Sequence, residues 1–201
     1  PRRVRVNRAT RTACALALLA FGLACLGQAG WIHAKAALAQ VLVDRAFERA
    51  LDGDPDARPW PWADTRPVAR LRLADGGRSL VVLAGASGRN LAFGPAHDPA
   101  SVLPGEPGNS LISGHRDTHF RGLARLRPGD RIAIERADGR RLEFIVAALQ
   151  VVDSRRTRIA LDGDVPRLIL ATCYPFDAVD PGGPLRFVVT AEKTGVRDTF
   201  L

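Results

Sequence analysis

The apolar positions of this chain fall into three regimes. Residues 12–32 form a run of 21 with no charged side chain. About 20 apolar residues cross a bilayer as a helix, so the run predicts a membrane span. Over residues 33–51, Leu38, Val41, Leu42, Ala46 and Leu51 recur at near-helical spacing, with Asp44, Arg45, Glu48 and Arg49 between them. That pattern predicts a juxtamembrane helix over 33–54, ended by Asp52-Gly53-Asp54-Pro55. Residues 55–67 hold four prolines (Pro55, Pro59, Pro61, Pro67) and two tryptophans (Trp60, Trp62), an arm in which no regular structure is expected. The tryptophans are expected to pack back on the body, with a flap over a groove in it as the other reading.

From residue 68 the period changes to that of strands. Alternating or short apolar runs at 68–73, 80–83, 90–93, 110–115, 131–135, 142–152, 168–173 and 185–191 are separated by turn sequences such as Asp75-Gly76-Gly77 and Asp138-Gly139. A short helix is expected within 118–126, and loops over 94–109 and 153–164. Residues 68–201 therefore predict a mainly β domain, a closed or nearly closed eight-stranded β-barrel with short helices.

Charge changes this picture in one respect. The net charge is +8, but Arg2, Arg3, Arg5, Arg8 and Arg11 precede the span without an acid. Without those five, 24 basic residues face 21 acidic ones. No basic stripe is interleaved with aromatics, so a nucleic-acid partner is not expected. An arginine-rich arm over 1–11, ahead of a span followed closely only by Lys35, predicts a cytoplasmic N-terminus and a body across the membrane. Trp31 suits the outer interface. Cleavage after a signal peptide at Ala37-Leu38-Ala39, or a lipoprotein signal ending at Cys25, are the competing readings. The run exceeds a usual signal core, and Gly22 stands where a lipoprotein signal carries Leu, which favours an uncleaved anchor.

Cys14 and Cys25 lie in the span, so the body holds only Cys173. A free cysteine is commonly a small buried hydrophobe. This one instead ends an apolar run and is followed at once by Tyr174-Pro175. The attacking form of cysteine is the thiolate, and a nearby imidazole or guanidinium raises its fraction or stabilises the oxyanion it creates. His115 and Arg186 also sit at expected strand ends, as acid/base and charge stabiliser. The order His, Cys, Arg argues against a papain-like arrangement. His115 and His119 are spaced as metal ligands on a helix, but Gly114 and the strand before it oppose a helix there, so no metal is expected. Asp117 is a supporting candidate, orienting His115 or capping the helix that follows. His97 is expected in solvent.

The segments Gly114-His115-Arg116, Leu170-Ala171-Thr172-Cys173 and Leu185-Arg186-Phe187 resemble the signature segments of sortases, the membrane-anchored cysteine transpeptidases. Residues 104–109 are similar too. The longer pieces Trp62-Ala63-Asp64-Thr65, Gly114-His115-Arg116-Asp117-Thr118-His119-Phe120 and Thr172-Cys173-Tyr174-Pro175-Phe176 resemble the proteobacterial subgroup. Ala171 departs from the Thr that many sortases carry, while Thr172 is retained. The resemblance implies the sortase β-barrel and cleavage of an LPxTG-like sorting signal of a secreted protein. In it Cys173 forms a thioester, Arg186 holds the signal and the oxyanion, and His115 protonates the leaving amine. Ala171, Thr172 and Tyr174 then line the substrate, and an amine acceptor resolves the thioester. The resemblance implies no cofactor. It places a single-pass protein in the inner membrane with its catalytic domain on the periplasmic side. An anchored, non-catalytic binding domain is the alternative. So is an L,D-transpeptidase, whose Ser-His-Gly-Cys type motif is absent around Cys173.

Overall fold

The computed structural model describes residues 8–74, 76–178 and 182–194, and the chain divides into two compact units, 1–41 and 42–201. The first unit is helical. Helix α1 runs Arg8–Leu51, carrying the apolar run and the helical pattern that continues over 33–51 in one element. No Gly or Pro occurs from Trp31 to Leu51 to interrupt the hydrogen-bond ladder. Leu16, Leu18, Phe21, Leu23 and Leu26 all point outward from the helix. A helix apolar on every side and uncovered by protein suits a lipid surround, and this one is long and apolar enough to cross a membrane.

The second unit begins with the last turns of α1, which end where Gly53 takes a φ of 94° and Pro55 can no longer donate. Eight strands follow: β1 Pro67–Arg72, β2 Leu80–Ala84, β3 Ala96–His97, β4 Asn109–Ser113, β5 Arg131–Arg136, β6 Arg141–Asp153, β7 Arg167–Cys173 and β8 Leu185–Lys193. They close into a barrel in the order β1-β2-β3-β4-β7-β8-β6-β5. Closure removes the exposed edges that an open sheet leaves. The alternation seen in the sequence is the barrel's inside and outside. Ala69, Leu71, Ile112, Ile132, Ile134, Phe144, Leu168, Leu170, Val189 and Ala191 fill the interior. A second, smaller cluster joins Val43 and Phe47 of α1 to Val81 and Leu83 of β2. There the Arg70 guanidinium lies over the Phe47 ring at 4.3 Å and pairs with Glu48 at 2.7 Å.

Trp60 joins this smaller cluster, its ring set edge-on against Phe93 at 4.9 Å. It is thus used in packing, while Trp62 is 82% exposed. Two expectations fail. Residues 90–93 are not a strand, because Gly88–Leu91 forms a single helical turn, α2, capped by the Ser87 side chain at the Asn90 amide. The strand in this region is the two-residue β3, which pairs parallel to β2 and antiparallel to β4. His97 is buried rather than solvated. Its Nε2 lies 2.9 Å from the Val102 carbonyl and 3.2 Å from Ser101 Oγ, so the ring braces the 98–102 loop. The short helix expected within 118–126 is a 3₁₀ turn, Arg121–Arg125.

Candidate active site

Strand directions bring the candidate residues together. β4 pairs parallel to β7, with Ser113 opposite Ala171, so both strands point their C-terminal ends to one rim. β8 pairs antiparallel to β7 and therefore starts at that rim. His115 follows β4, Cys173 ends β7 and Arg186 stands at the start of β8. Cys173 and Arg186 are direct cross-strand partners, which sets their Cα atoms about 4.5–5.5 Å apart.

Strand parity decides which face they occupy. Leu168 and Leu170 point into the barrel core, and buried Thr172 continues that inward series. Ala171 and Cys173 therefore face outward, with Cys173 partly exposed. On β8, Val189 and Ala191 point inward, which puts Arg186 on the outer face with Cys173. Its Nη1 donates to the Gly183 carbonyl at 2.6 Å and to the Leu185 carbonyl at 2.9 Å. Nε and Nη2 meet no acceptor among the described residues and keep their donors for another. Among the described residues, no carboxylate lies within ion-pair distance of Arg186.

The His115 segment is stapled to β7. Thr172 Oγ1 donates to the Gly114 carbonyl at 2.7 Å, and the Gly114 amide donates to the Ala171 carbonyl at 3.1 Å. On the other side, the Phe120 amide donates to the His115 carbonyl at 3.0 Å, while the Phe120 ring is fully buried in the barrel core. A Cβ on Gly114 would lie 2.8 Å from Phe120 Cδ2, closer than carbon atoms pack. Glycine at 114 is what lets this ring close the loop under His115. The imidazole itself is exposed.

The remaining candidates divide. Ala171 shares the outer face with Cys173. The Thr172 hydroxyl is spent on Gly114, so only its backbone is available to a substrate. Tyr174 is partly buried, stacked on Phe187 at 6.3 Å and edge-on to Phe176 at 6.2 Å. The Asp117 carboxylate accepts from Arg116 Nε at 3.1 Å. It does not cap the 3₁₀ turn, whose N-cap, Phe120, makes no side-chain bond. His119 is partly buried, and its Nδ1 lies 3.3 Å from Thr118 Oγ1. Burial, reinforced by the positive charges of His115 and Arg78, holds the His119 pKa below the ordinary histidine value. Sequence reasoning missed Arg116, whose side chain is almost wholly buried. An arginine beside the exposed His115 carries no local mark of burial.

A family model described as "Sortase domain" matches residues 71–194. The chain belongs to the sortase family. Sortase D of Bacillus subtilis (strain 168) is 32% identical over 115 residues, 57% of this chain and 57% of that relative. The chain thus spans little more than half the length of that relative. Among solved structures, sortase A from Corynebacterium diphtheriae superposes with a TM-score of 0.61 at 22% identity, covering 82% of this chain and 87% of that one. The Clostridium perfringens sortase D5 transpeptidase gives 0.56 at 22% identity, covering 76% and 89%. At these identities the structural likeness concerns the sortase barrel itself, and its closed eight-stranded form is the one expected from the sequence.

Proposed function

We propose that this chain is a membrane-anchored cysteine transpeptidase acting on an LPxTG-like sorting signal of a secreted protein. The observation that carries the reading is the meeting of Cys173, Arg186 and the His115 segment at one rim of the barrel. There Cys173 and Arg186 are cross-strand partners and Gly114 is fastened to β7. Family membership supports the same chemistry.

In the first half-reaction the Cys173 thiolate attacks the carbonyl carbon of a small residue in the signal. The carbonyl electrons move onto oxygen, and the Nε and Nη2 N–H groups of Arg186 stabilise that oxyanion and hold the peptide backbone. The intermediate collapses to a thioester as the C–N bond breaks. His115 gives its proton to the departing amine. In the second half-reaction an incoming amine loses a proton to His115 and attacks the thioester carbonyl. Collapse forms the new amide and returns the Cys173 sulfur as thiolate. Water in place of the amine gives hydrolysis. Ala171 and Tyr174 line the peptide beside the nucleophile, and Thr172 contributes its backbone. Asp117 accepts from Arg116 Nε at the exposed edge of the His115 loop. No metal or organic cofactor takes part in these steps.

The apolar helix and the arginines ahead of it support an inner-membrane anchor with the barrel on the periplasmic side. The likeness of residues 114–120 and 172–176 to proteobacterial sortases supports that subgroup. The test is turnover of an LPxTG-type peptide with an amine acceptor. Cys173→Ala is expected to abolish both cleavage and the thioester adduct seen by mass spectrometry. Turnover that persists in this variant refutes the reading.

A further inference from the structure

Arg116 follows His115 directly, yet the two side chains have opposite fates. His115 is exposed, whereas the Arg116 side chain is 7% exposed. Its Nη1 donates to the Pro175 carbonyl at 2.6 Å and its Nη2 to the Ala178 carbonyl at 2.6 Å. Its Nε donates to Asp117 at 3.1 Å. Both carbonyls belong to the segment leaving Cys173, two and five residues beyond it. One guanidinium therefore joins the loop that carries His115 to the loop that follows the thiol.

The chemistry of this contact is specific to arginine. A buried charge is costly unless its donors are satisfied, and here the two ends of a rigid planar fork each meet one carbonyl through short, charge-assisted bonds. A lysine carries the same charge on one nitrogen and does not reproduce that fork. Asp117 is 69% exposed, so its pairing with Arg116 is screened by water and salt and contributes little. The two carbonyl bonds are the substance of the clamp.

The clamp bears on the reaction through position. Tyr174 lies inside the held segment, one residue beyond the thiol, and its amide donates to the Leu185 carbonyl at 3.1 Å. Leu185 immediately precedes Arg186 and also accepts from that guanidinium. The segment fixed by Arg116 thus touches the β8 start on which Arg186 sits, while Arg116 itself shares the peptide unit of His115. We infer that Arg116 is a positioning residue that sets the spacing of His115 against Cys173 and Arg186 by clamping residues 174–178 at the end of β7. This inference rests on the transpeptidase reading above.

The test uses the full chain in detergent, with Arg116→Lys, Arg116→Met and, as a control at the barrel end away from Cys173, Arg131→Gln. Two readouts are taken: kcat and KM for an LPxTG-type peptide, and the pH dependence of Cys173 alkylation by iodoacetamide. Peptide mass spectrometry separates Cys173 from Cys14 and Cys25. Melting by circular dichroism identifies the folded variants. A misplacement of about 1 Å at reacting groups costs on the order of 100-fold. Arg116→Met is expected to lose roughly that factor, mainly in kcat, and folded Arg116→Lys at least about tenfold. Both are expected to displace the pH profile of alkylation, and Arg131→Gln, at a side chain 73% exposed, is expected to leave kcat and the profile within about twofold. Lower melting with an unmoved alkylation profile in folded Arg116→Lys overturns the inference. So does kcat within twofold of the parent in that variant. Alkylation needs no peptide substrate, so a failed transpeptidase reading shows as absent turnover in the parent and is distinguishable from a failed clamp.

Discussion

Gly114→Ala probes the coupling between barrel packing and His115. Gly114 is not among the glycines with positive φ, so alanine meets no backbone strain and the perturbation is steric alone. The new Cβ would stand 2.8 and 2.9 Å from Phe120 Cδ2 and Cγ, and Phe120 is fully buried, so its ring has nowhere to withdraw. Overpacking of this kind costs about 1–3 kcal/mol. Against it, replacing glycine restricts the unfolded chain and returns about 0.4–1 kcal/mol. The net expectation is a loss of roughly 0–2.6 kcal/mol, the difference between those two ranges. At about 2–4 °C per kcal/mol for a unit of this size, Tm falls by at most about 10 °C. Activity is expected to fall further than stability suggests, because the displaced atoms carry the Gly114 carbonyl that Thr172 holds. A shift near 1 Å there costs on the order of 100-fold in kcat/KM. The assay is peptide turnover beside thermal melting, for Gly114→Ala, Phe120→Leu and the double variant. Phe120→Leu opens a gap where the Cβ clashes, so the double variant is expected to depart from additivity by about 0.5–3 kcal/mol. A Gly114→Ala protein with parental Tm and parental turnover would refute the reasoning.

Two further outcomes follow from the same site. Thr172→Val keeps the shape but removes the donor to Gly114 at 2.7 Å, leaving a buried carbonyl unpaired; a loss of about 1–3 kcal/mol is expected in urea melts, together with reduced turnover. His119 has its pKa lowered by burial and by the charges of His115 and Arg78, so the unfolded chain binds its proton first as pH falls below 6.5. Stability attributable to this residue is therefore complete above that pH and declines below it. His119→Gln is expected to flatten that acid slope in pH-dependent melting, and an unchanged slope would count against it.

How far the site could be read in advance depended on the kind of signal each residue carried. Cys173, His115 and Arg186 each terminate or open an apolar run, so a strand-end position was legible from period alone. β3 has two residues and holds no period, and the 90–93 segment is apolar enough to pass for a strand. What selects the helical turn there is the Ser87 cap, together with two side-chain bonds from Asn90 to the Ala84 and Gly85 carbonyls. His97 reads as a loop histidine because its partners, Ser101 and Val102, come within hydrogen-bond distance of its ring only after the loop folds back. Arg116 was hidden for a related reason. Its acceptors are 59 and 62 residues away, and nothing local marks a buried guanidinium.

The sequence by itself determined the apolar helix, the period-two strands and the single thiol of the body, because these follow from uncharged length, local alternation and counting. Tertiary structure alone decided that β4 lies parallel beside β7 and that β8 returns antiparallel. That arrangement places three separated strand ends on one rim, with Cys173 opposite Arg186 and Gly114 under Phe120. The choice of strand neighbours rests on closing the barrel over a shared core, a condition on all the strands at once that no local run of residues contains.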